Sequence, residues 1–130
     1  MMTADLPPPP AAIQLLVPCP DRPNCVSSLA EDATHRVEPL PVEGTPEEAL
    51  ARLHRIIEAM PRATVDQVGE GRLRARFRSR IFRFTDDLEL AVDAEAGLVH
   101  VRSAARVGRS DLGVNRRRVE EIRRRYLGPG

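Results

Sequence analysis

The amino-acid sequence predicts a single α+β domain in which a mostly antiparallel sheet of four or five strands packs one face against two helices. Three patterns lead to this prediction. Residues 72–80 alternate between arginine and smaller or apolar side chains, and this period of two indicates a β-strand. A capping box with proline at the first helical position begins a helix at Thr45. An apolar stripe at helical spacing runs from Leu112 to Tyr126.

The composition is that of an ordinary globular domain. The chain has 130 residues, of which 42% are hydrophobic and 30% charged, and its formal net charge is +1. So small a charge does not predict a general attraction to nucleic acid or to an anionic membrane. No segment approaches the ~20 apolar residues that span a bilayer, and the N-terminus lacks the basic stretch of a secretory signal. A cytoplasmic location is therefore expected.

Two proline-rich segments precede the regular elements. Residues 1–17 include four consecutive prolines and are expected to form a flexible arm, so that the domain occupies residues 18–130. The segment Pro18 to Ser28 contains further prolines and predicts a rigid, turn-rich loop. Its cysteines, Cys19 and Cys25, are close enough in the chain for a disulfide if the protein is secreted. In a reducing cytoplasm both are expected to remain thiols.

The chemistry of this loop is open to two interpretations. A nucleophilic Cys25 would need a neighbouring base and a lowered pKa, so a small buried side chain is the preferred interpretation. Asn24, Ser27 and Ser28 are expected to act as turn-forming and capping groups. The three histidines of the chain are scattered, so no metal site and no cofactor are predicted.

The first helix and the strand before it have clear boundaries. Residues 35–42 form a short extended segment, and Pro39 and Pro41 make it an edge strand because proline cannot donate to a ladder. The first helix is predicted to run from Pro46 to Met60, where Pro61 ends it. Its buried stripe comprises Ala49, Leu50, Leu53, Ile56, Ile57 and Met60.

Four more strands are predicted after this helix, joined by glycine-containing turns. The first covers residues 63–68 and the second residues 72–80, and the last two form a hairpin closed by Gly97. The alternation slips after residue 80, so Phe82 and Phe84 are expected to take over the buried face through a bulge.

Five arginines at alternate positions from Arg72 to Arg80 face outwards on one strand. Such a row could follow the phosphates of a nucleic acid. The next strand presents Asp87, Glu89 and Asp93 on the same face, where they can form cross-strand ion pairs. Few aromatic side chains are available for base stacking. A salt-bridged, solvated face is therefore preferred, with nucleic-acid binding as an alternative.

The loop before the last helix concentrates charge where a helix N-terminus should meet the end of the sheet. Arg106, Arg109 and Arg116 lie within eleven residues. Since a helix N-terminus attracts anions, the sequence predicts an anion or carboxylate site here. Asp111 or Ser110 is expected to cap the first turn, and Asp111 also suits the helix dipole. Asn115 falls inside the apolar stripe and is expected to tie the helix to the preceding loop.

Two long stretches carry a family resemblance. They read CPDRPNCVSS at residues 19–28 and RSAARVGRSDLGVNRRRV at residues 102–119. They resemble the opening and closing motifs of a bacterial family known as domain of unknown function 1499 (DUF1499), and the pair Asp86 and Asp87 stands where that family has a similar acidic pair. The family commonly has a serine where this chain has Ala105. The resemblance extends to about Tyr126 and implies no established activity, substrate or cofactor.

Three functional hypotheses follow from these patterns. The preferred one is a non-enzymatic binding or interaction module that holds a small anionic molecule or a partner's carboxylate near the last helix. The first alternative is a small enzyme that uses Cys25, or the acidic pair Asp86 and Asp87, with an arginine clamp. The second alternative is nucleic-acid binding through the sheet arginines, which is disfavoured. The candidate ligand-binding residues are Arg106, Arg109, Asp111, Asn115, Arg116, Asp86, Asp87, Asn24, Cys25 and Ser27.

Overall fold

A computed structural model describes residues 16–80, 84–108 and 112–128. Within these ranges the chain forms an α+β domain of six strands and two helices, so the predicted class is confirmed and the predicted strand count is slightly low. None of the helices in these ranges is both long and apolar enough to cross a membrane. The elements in chain order are β1 (Cys25–Ser27), β2 (Leu40–Pro41), α1 (Pro46–Glu58), β3 (Ala63–Gly69), β4 (Arg72–Arg78), β5 (Thr85–Asp93), β6 (Leu98–Ala105) and α2 (Val114–Leu127).

The sheet is antiparallel and has the strand order β1-β6-β5-β4-β3, with β2 also paired to β6. Strands β3 to β6 follow one another as hairpins, and Gly97 closes the last of these with a left-handed φ of 70°. The strand that the sequence analysis missed is β1, which lies in the predicted turn-rich loop. Three residues are too few to display a period of two, so β1 exists only because Cys25–Ser27 pairs with residues 102–104 of β6.

The hydrophobic core lies between one face of the sheet and the two helices. Helix α1 packs against β3 and β4, α2 packs against β6 and β1, and the helices contact each other. The strands contribute alternate side chains to this face, as their period of two requires. The largest fully buried apolar side chains are Tyr126, Leu40, Leu53, Ile57, Leu73, Leu88, Leu90, Ile122, Val99, Val101 and Val119.

Helix α1 begins as the sequence predicts. The Thr45 hydroxyl accepts a hydrogen bond from the backbone N–H of Glu48 at 3.0 Å, and the Glu48 carboxylate accepts one from the backbone N–H of Thr45 at 2.8 Å. The helix ends at Glu58 instead of Met60. Met60 precedes Pro61, and a residue before proline is disfavoured in helical conformation.

Helix α2 begins at Val114, later than the predicted Leu112. Leu112 has a φ of 55° and Gly113 a φ of 80°, so neither residue is helical. The Leu112 side chain is 84% exposed and takes no part in the buried stripe. A helical wheel shows which residues share a face but not where the helix starts. The predicted cap, Asp111, lies outside the described residues.

Phe84 is exposed, whereas the sequence analysis placed it in the core. Its exposed fraction is 52%, because β5 begins at the next residue and Phe84 lies beyond the end of the ladder. Phe82 and the slip after residue 80 lie outside the described residues.

The pairing of β3 with β4 is irregular at one place in the described residues, because its register shifts between Val65 and Gln67 of β3.

The outer face of the sheet, opposite the helices, carries charged side chains and one apolar contact. Leu16 packs against Ala91 of β5, and both are buried. Ala91 lies directly opposite Arg72 of β4 and His100 of β6. Leu16 therefore lies on the outer face, over the residue that Arg72 and His100 flank.

Candidate functional site

Two stretches that are distant in the chain meet beside β6. The side-chain amide of Asn24 donates to the carbonyls of Gly108 at 2.7 Å and Val107 at 3.4 Å. The carbonyl of Asn24 accepts from the backbone N–H of Ala105 at 3.0 Å and from the side chain of Asn115 at 3.2 Å. The N-terminal loop and the approach to the last helix are thus one structural unit.

A buried polar network extends from this contact into the domain. Ser103 and Asn115 are fully buried, and the Ser103 hydroxyl donates to Oδ1 of Asn115 at 2.6 Å. Arg118 donates to the same oxygen at 2.6 Å and pairs with Asp86 at 3.0 Å. The Arg118 guanidinium also lies over the ring of Phe77, 4.5 Å from its centroid. Asn115 therefore ties α2 to β6 and to the N-terminal loop.

Two arginines of the predicted anion site already bind oxygens of the protein. Nε and Nη2 of Arg106 donate to the two carboxylate oxygens of Asp87 at 2.8 and 2.9 Å. This hydrogen-bonded carboxylate raises the pKa of Arg106. Arg116 donates to the backbone carbonyls of Arg36 at 2.7 Å and Thr34 at 2.8 Å. Both guanidinium groups hold the domain together in this arrangement.

The remaining charged members of that predicted site, Arg109 and Asp111, lie outside the described residues. An anion site beside the last helix therefore stays a prediction. An anion there would share Arg106 with Asp87, and Arg116 with three backbone carbonyls, because these protein oxygens already occupy part of the donors of each guanidinium.

The acidic pair Asp86 and Asp87 is divided by the sheet. Neighbouring residues of a strand point to opposite faces. Asp86 lies opposite the core residue Phe77 and pairs with Arg118 of α2, whereas Asp87 pairs with Arg106 on the outer face. The two carboxylates therefore cannot act on one reacting atom, which is the geometry that the enzyme alternative required of them.

Cys19 and Cys25 form a disulfide, one of the two states that the sequence left open. The tight loop brings the two Cα atoms to 5.7 Å, within disulfide range. Cys25 is fully buried in β1 and carries no free thiolate in this form. Ser27 has the predicted turn-forming role, since its hydroxyl accepts from the backbone N–H of Leu29 at 3.1 Å.

An arginine cluster on the outer face surrounds one glutamate. It consists of Arg72, Arg74 and Arg102 around Glu89 of β5. Arg74 and Arg102 lie directly opposite Glu89 on the neighbouring strands β4 and β6. The N···O distances to the Glu89 carboxylate are 3.6 Å from Arg72 and 3.8 Å from each of the other two. These ion pairs are longer than hydrogen bonds.

Two donors of the arginine cluster are buried without an acceptor. Within the described part of the chain, Nε of Arg72 and Nε of Arg102 have no hydrogen-bond partner. Their side chains are only 17% and 11% exposed. Buried N–H groups in native proteins are nearly always satisfied, so such exceptions need an explanation. A neighbour on the same face differs, because Arg76 donates twice to the Asp66 carboxylate, each time at 2.8 Å.

A cavity of about 500 Å³ lies beside the disulfide, and its lining includes Cys19, Leu16 and His35. The imidazole of His35 is held on both sides. Its Nδ1 lies 2.6 Å from a carboxylate oxygen of Asp32, and its Nε2 lies 2.9 Å from the carbonyl of Arg22. His35 thereby links the disulfide loop to the rest of the domain.

The family model described as a protein of unknown function (DUF1499) matches residues 15–125. The chain belongs to the DUF1499 family. The match includes both motifs noted in the sequence, and these are the two stretches of the DUF1499 domain that meet at Asn24 and β6. A comparison with curated proteins found no match.

The motif side chains of this DUF1499 domain bind one another and other groups of the domain, whereas the arginine cluster takes only Arg102 from the motifs. In the part of the chain that the structure describes, no three His, Cys, Asp or Glu side chains are grouped to hold a metal ion. The predicted cross-strand pairing is confirmed for Arg74 and Glu89. Sequence analysis missed the cluster as a site because it considered the arginines of one strand alone. The available signal was Arg102, which the hairpin order brings to the other side of Glu89.

Proposed function

We propose that this DUF1499 domain is a non-enzymatic binding module that recognises an oxyanion, a phosphate or a carboxylate, through the arginine cluster on its outer sheet face. The observation that supports this most directly is the pair of buried Nε donors on Arg72 and Arg102 without acceptors in the described residues. An unsatisfied buried donor costs free energy. A ligand oxygen would supply the missing acceptor.

The charge balance of the arginine cluster also favours an anion. Three guanidinium groups (+3) and one carboxylate (−1) leave a formal charge of +2. The nearby Arg76 and Arg106 are each hydrogen-bonded to a carboxylate of their own, so the excess positive charge is concentrated at the cluster. Partly buried charges are screened less by salt than exposed ones. The planar fork of a guanidinium matches phosphate and carboxylate oxygens.

The arginine cluster is a better candidate than the end of α2 because its donors are available. Arg106 and Arg116 already use part of their guanidinium donors in short hydrogen bonds to protein oxygens. Arg72, Arg74 and Arg102 share one carboxylate at distances beyond hydrogen-bond length, so a ligand need not displace such bonds.

Titration calorimetry with inorganic phosphate and with malonate tests this proposal, using two matched variants of β4. Arg74→Gln removes a cluster member that is half exposed, and Arg76→Gln removes its neighbour, which is paired with Asp66. We expect the wild-type chain to bind at least one of the two anions. Arg74→Gln should weaken binding about tenfold, the usual cost of a charge-assisted hydrogen bond, while Arg76→Gln stays within about twofold. Failure of both anions to bind the oxidised and the reduced protein, or equal loss in the two variants, would overturn the proposal.

A nucleic-acid backbone is another source of the same phosphate chemistry. The nucleic-acid alternative, in which the whole row of sheet arginines binds phosphates, predicts that the affinity for a single-stranded oligonucleotide falls steeply with salt. It also predicts that Arg74→Gln and Arg76→Gln weaken this affinity equally. Binding of free phosphate with little contribution from the oligonucleotide would favour a small ligand. Comparing the oligonucleotide with free phosphate therefore distinguishes a nucleic-acid ligand from a small one.

A further inference from the structure

We propose that Cys19 is a site of thiol–disulfide exchange, and that opening the Cys19–Cys25 disulfide uncovers the arginine cluster. The second half of this inference rests on the proposed oxyanion site. Cys19 is partly exposed and lines the cavity of about 500 Å³. Cys25 is fully buried in β1, where it pairs with Ala104. An incoming thiol can therefore reach the sulfur of Cys19 but not that of Cys25.

The exchange needs only a thiol of low molecular weight. Its thiolate attacks Sγ of Cys19, the bond between the two protein sulfurs breaks, and the electron pair passes to Sγ of Cys25, which takes up a proton. A second thiol then attacks the mixed disulfide on Cys19. In sum, two thiols are oxidised to one disulfide while Cys19 and Cys25 are reduced to thiols. The direction of attack follows from access, since Cys19 lines the cavity and is partly exposed, whereas Cys25 is fully buried.

The disulfide is the main attachment of the segment from Leu16 to Cys19. In the described residues, this segment makes no hydrogen bond to the sheet, and Leu16 is held by its packing against Ala91. Beyond Cys19 the loop has other attachments, because His35 binds the carbonyl of Arg22 and Asn24 binds that of Gly108. Opening the disulfide should therefore free the segment before the loop and leave β1 in place.

The freed segment lies next to the arginine cluster. Leu16 covers Ala91, and Ala91 is directly opposite Arg72 and two residues along the same face from Glu89. The Nε atoms of Arg72 and Arg102 are enclosed in this arrangement. Release of Leu16 would admit solvent and ligand from this side. The oxidised form is then the closed state of the site and the reduced form the open state.

A cytoplasmic location, which stays a prediction, would make this exchange relevant in the cell. Glutathione keeps thiols reduced there, and it would supply the attacking thiol. The expectation of thiols from the sequence and the disulfide of the structure would then describe two states of one loop.

The exchange is tested by incubating the oxidised full chain with reduced glutathione under native conditions, alkylating free thiols, and mapping the products by mass spectrometry. We expect mixed disulfide on Cys19 and none on Cys25. In the single variants Cys25→Ser and Cys19→Ser, the remaining thiol of Cys19 should react with Ellman's reagent about tenfold or more faster than that of Cys25, because thiol reactivity depends on access. Glutathionylation of Cys25, or opening only at the rate of global unfolding, would overturn the inference.

The uncovering is tested by comparing phosphate affinity in three proteins: the oxidised wild type, the reduced wild type and oxidised Leu16→Ser. We expect the last two to bind about fivefold or more tightly than the first, the lower end of ordinary coupling between sites. Leu29→Ser is the matched control, because Leu29 lines the same cavity but is exposed and is not part of the contact with Ala91. It should leave the affinity unchanged.

The two proposals fail in different ways. Absence of phosphate and malonate binding in every redox state would overturn the oxyanion site. Limited proteolysis would still test the uncovering by itself, since cleavage at residues 16–19 should become faster after reduction while β1 and β6 stay intact. Equal phosphate affinity in the oxidised and reduced protein, or an unchanged rate of cleavage at residues 16–19, would overturn the redox inference alone.

Discussion

The hydroxyl of Ser103 donates to the side-chain oxygen of Asn115 at 2.6 Å, and this bond joins the last strand to the last helix in the interior of the protein. Arg118 donates to the same oxygen, and the Asn115 amide donates to the carbonyl of Asn24. One side chain thus connects the N-terminal loop, β6 and α2. The junction explains Asn24 of the first motif and Ser103 and Asn115 of the second.

Replacing Asn115 with alanine should lower the free energy of unfolding by about 2–3 kcal/mol, because it leaves several buried groups without partners. The urea denaturation midpoint measures the effect. Arg117→Ala is the control on the same helix, since Arg117 is exposed and its side chain donates only to the carbonyl of Leu112 in the described residues. A loss in Asn115→Ala no larger than in the control would show that the junction contributes little.

Tyr126→Phe should lower the free energy of unfolding by about 1–3 kcal/mol, the cost of leaving buried polar groups unpaired. The Tyr126 hydroxyl donates to the carbonyl of Pro41 at 2.8 Å and accepts from the backbone N–H of Glu43 at 2.9 Å. Phenylalanine keeps the ring and its contact with the Arg52 guanidinium, so the variant isolates the hydroxyl. Thermal unfolding measures this loss of stability. The control is Leu127→Ala, which removes an exposed side chain. Indistinguishable melting of the two would contradict the prediction.

Removing the disulfide by the double change of Cys19 and Cys25 to serine should lower the free energy of unfolding by about 2 kcal/mol, because closing so short a loop restricts the unfolded chain only modestly. The core lies on the other face of the sheet and should keep the fold. Urea denaturation of the double variant and of the reduced wild type should agree. A reduced protein that is unfolded in buffer would contradict this prediction.

Stability should fall as the pH drops below 6.5 because of His100. Burial lowers the pKa of this imidazole from its ordinary value of 6.5; Asp93 partly offsets the shift by attracting the charged form, and Arg36 adds to it. The unfolded chain therefore binds the proton more readily than the folded one. This contribution to stability is complete above pH 6.5 and decreases below it until the folded His100 is also protonated.

Urea denaturation between pH 5 and 8 measures this dependence, with His100→Asn as the control. Asparagine does not titrate and can take the place of Nδ1 toward the Ser28 hydroxyl, which lies 3.0 Å away. The wild type should lose more stability than the variant over the acidic half of the range. Parallel curves would mean that His100 does not contribute.

Local patterns predicted the elements because their physical causes are local. The capping box at Thr45 and the alternation from Arg72 onward depend on neighbours within a few residues. Errors arose where an element or a side chain depended on partners far along the chain. Leu112 matched the helical stripe, but the positive φ at Leu112 and Gly113 places it outside the helix. Phe84 matched the strand alternation, but the ladder ends before it.

The sequence by itself determined the α+β class, the two helices, the faces of the long strands and the family to which the chain belongs. Periodicity and motifs depend on residues that are close together in the chain, so they can be recognised without the structure. Only the tertiary structure decided that Cys25–Ser27 is a strand, that Cys19 and Cys25 are joined, and that Arg106 and Arg116 bind the protein itself. It also brought Arg102 to Glu89 from the opposite side to Arg74. The physical reason is that strand register and loop docking set which charges meet, and both arise from contacts between residues far apart in the chain.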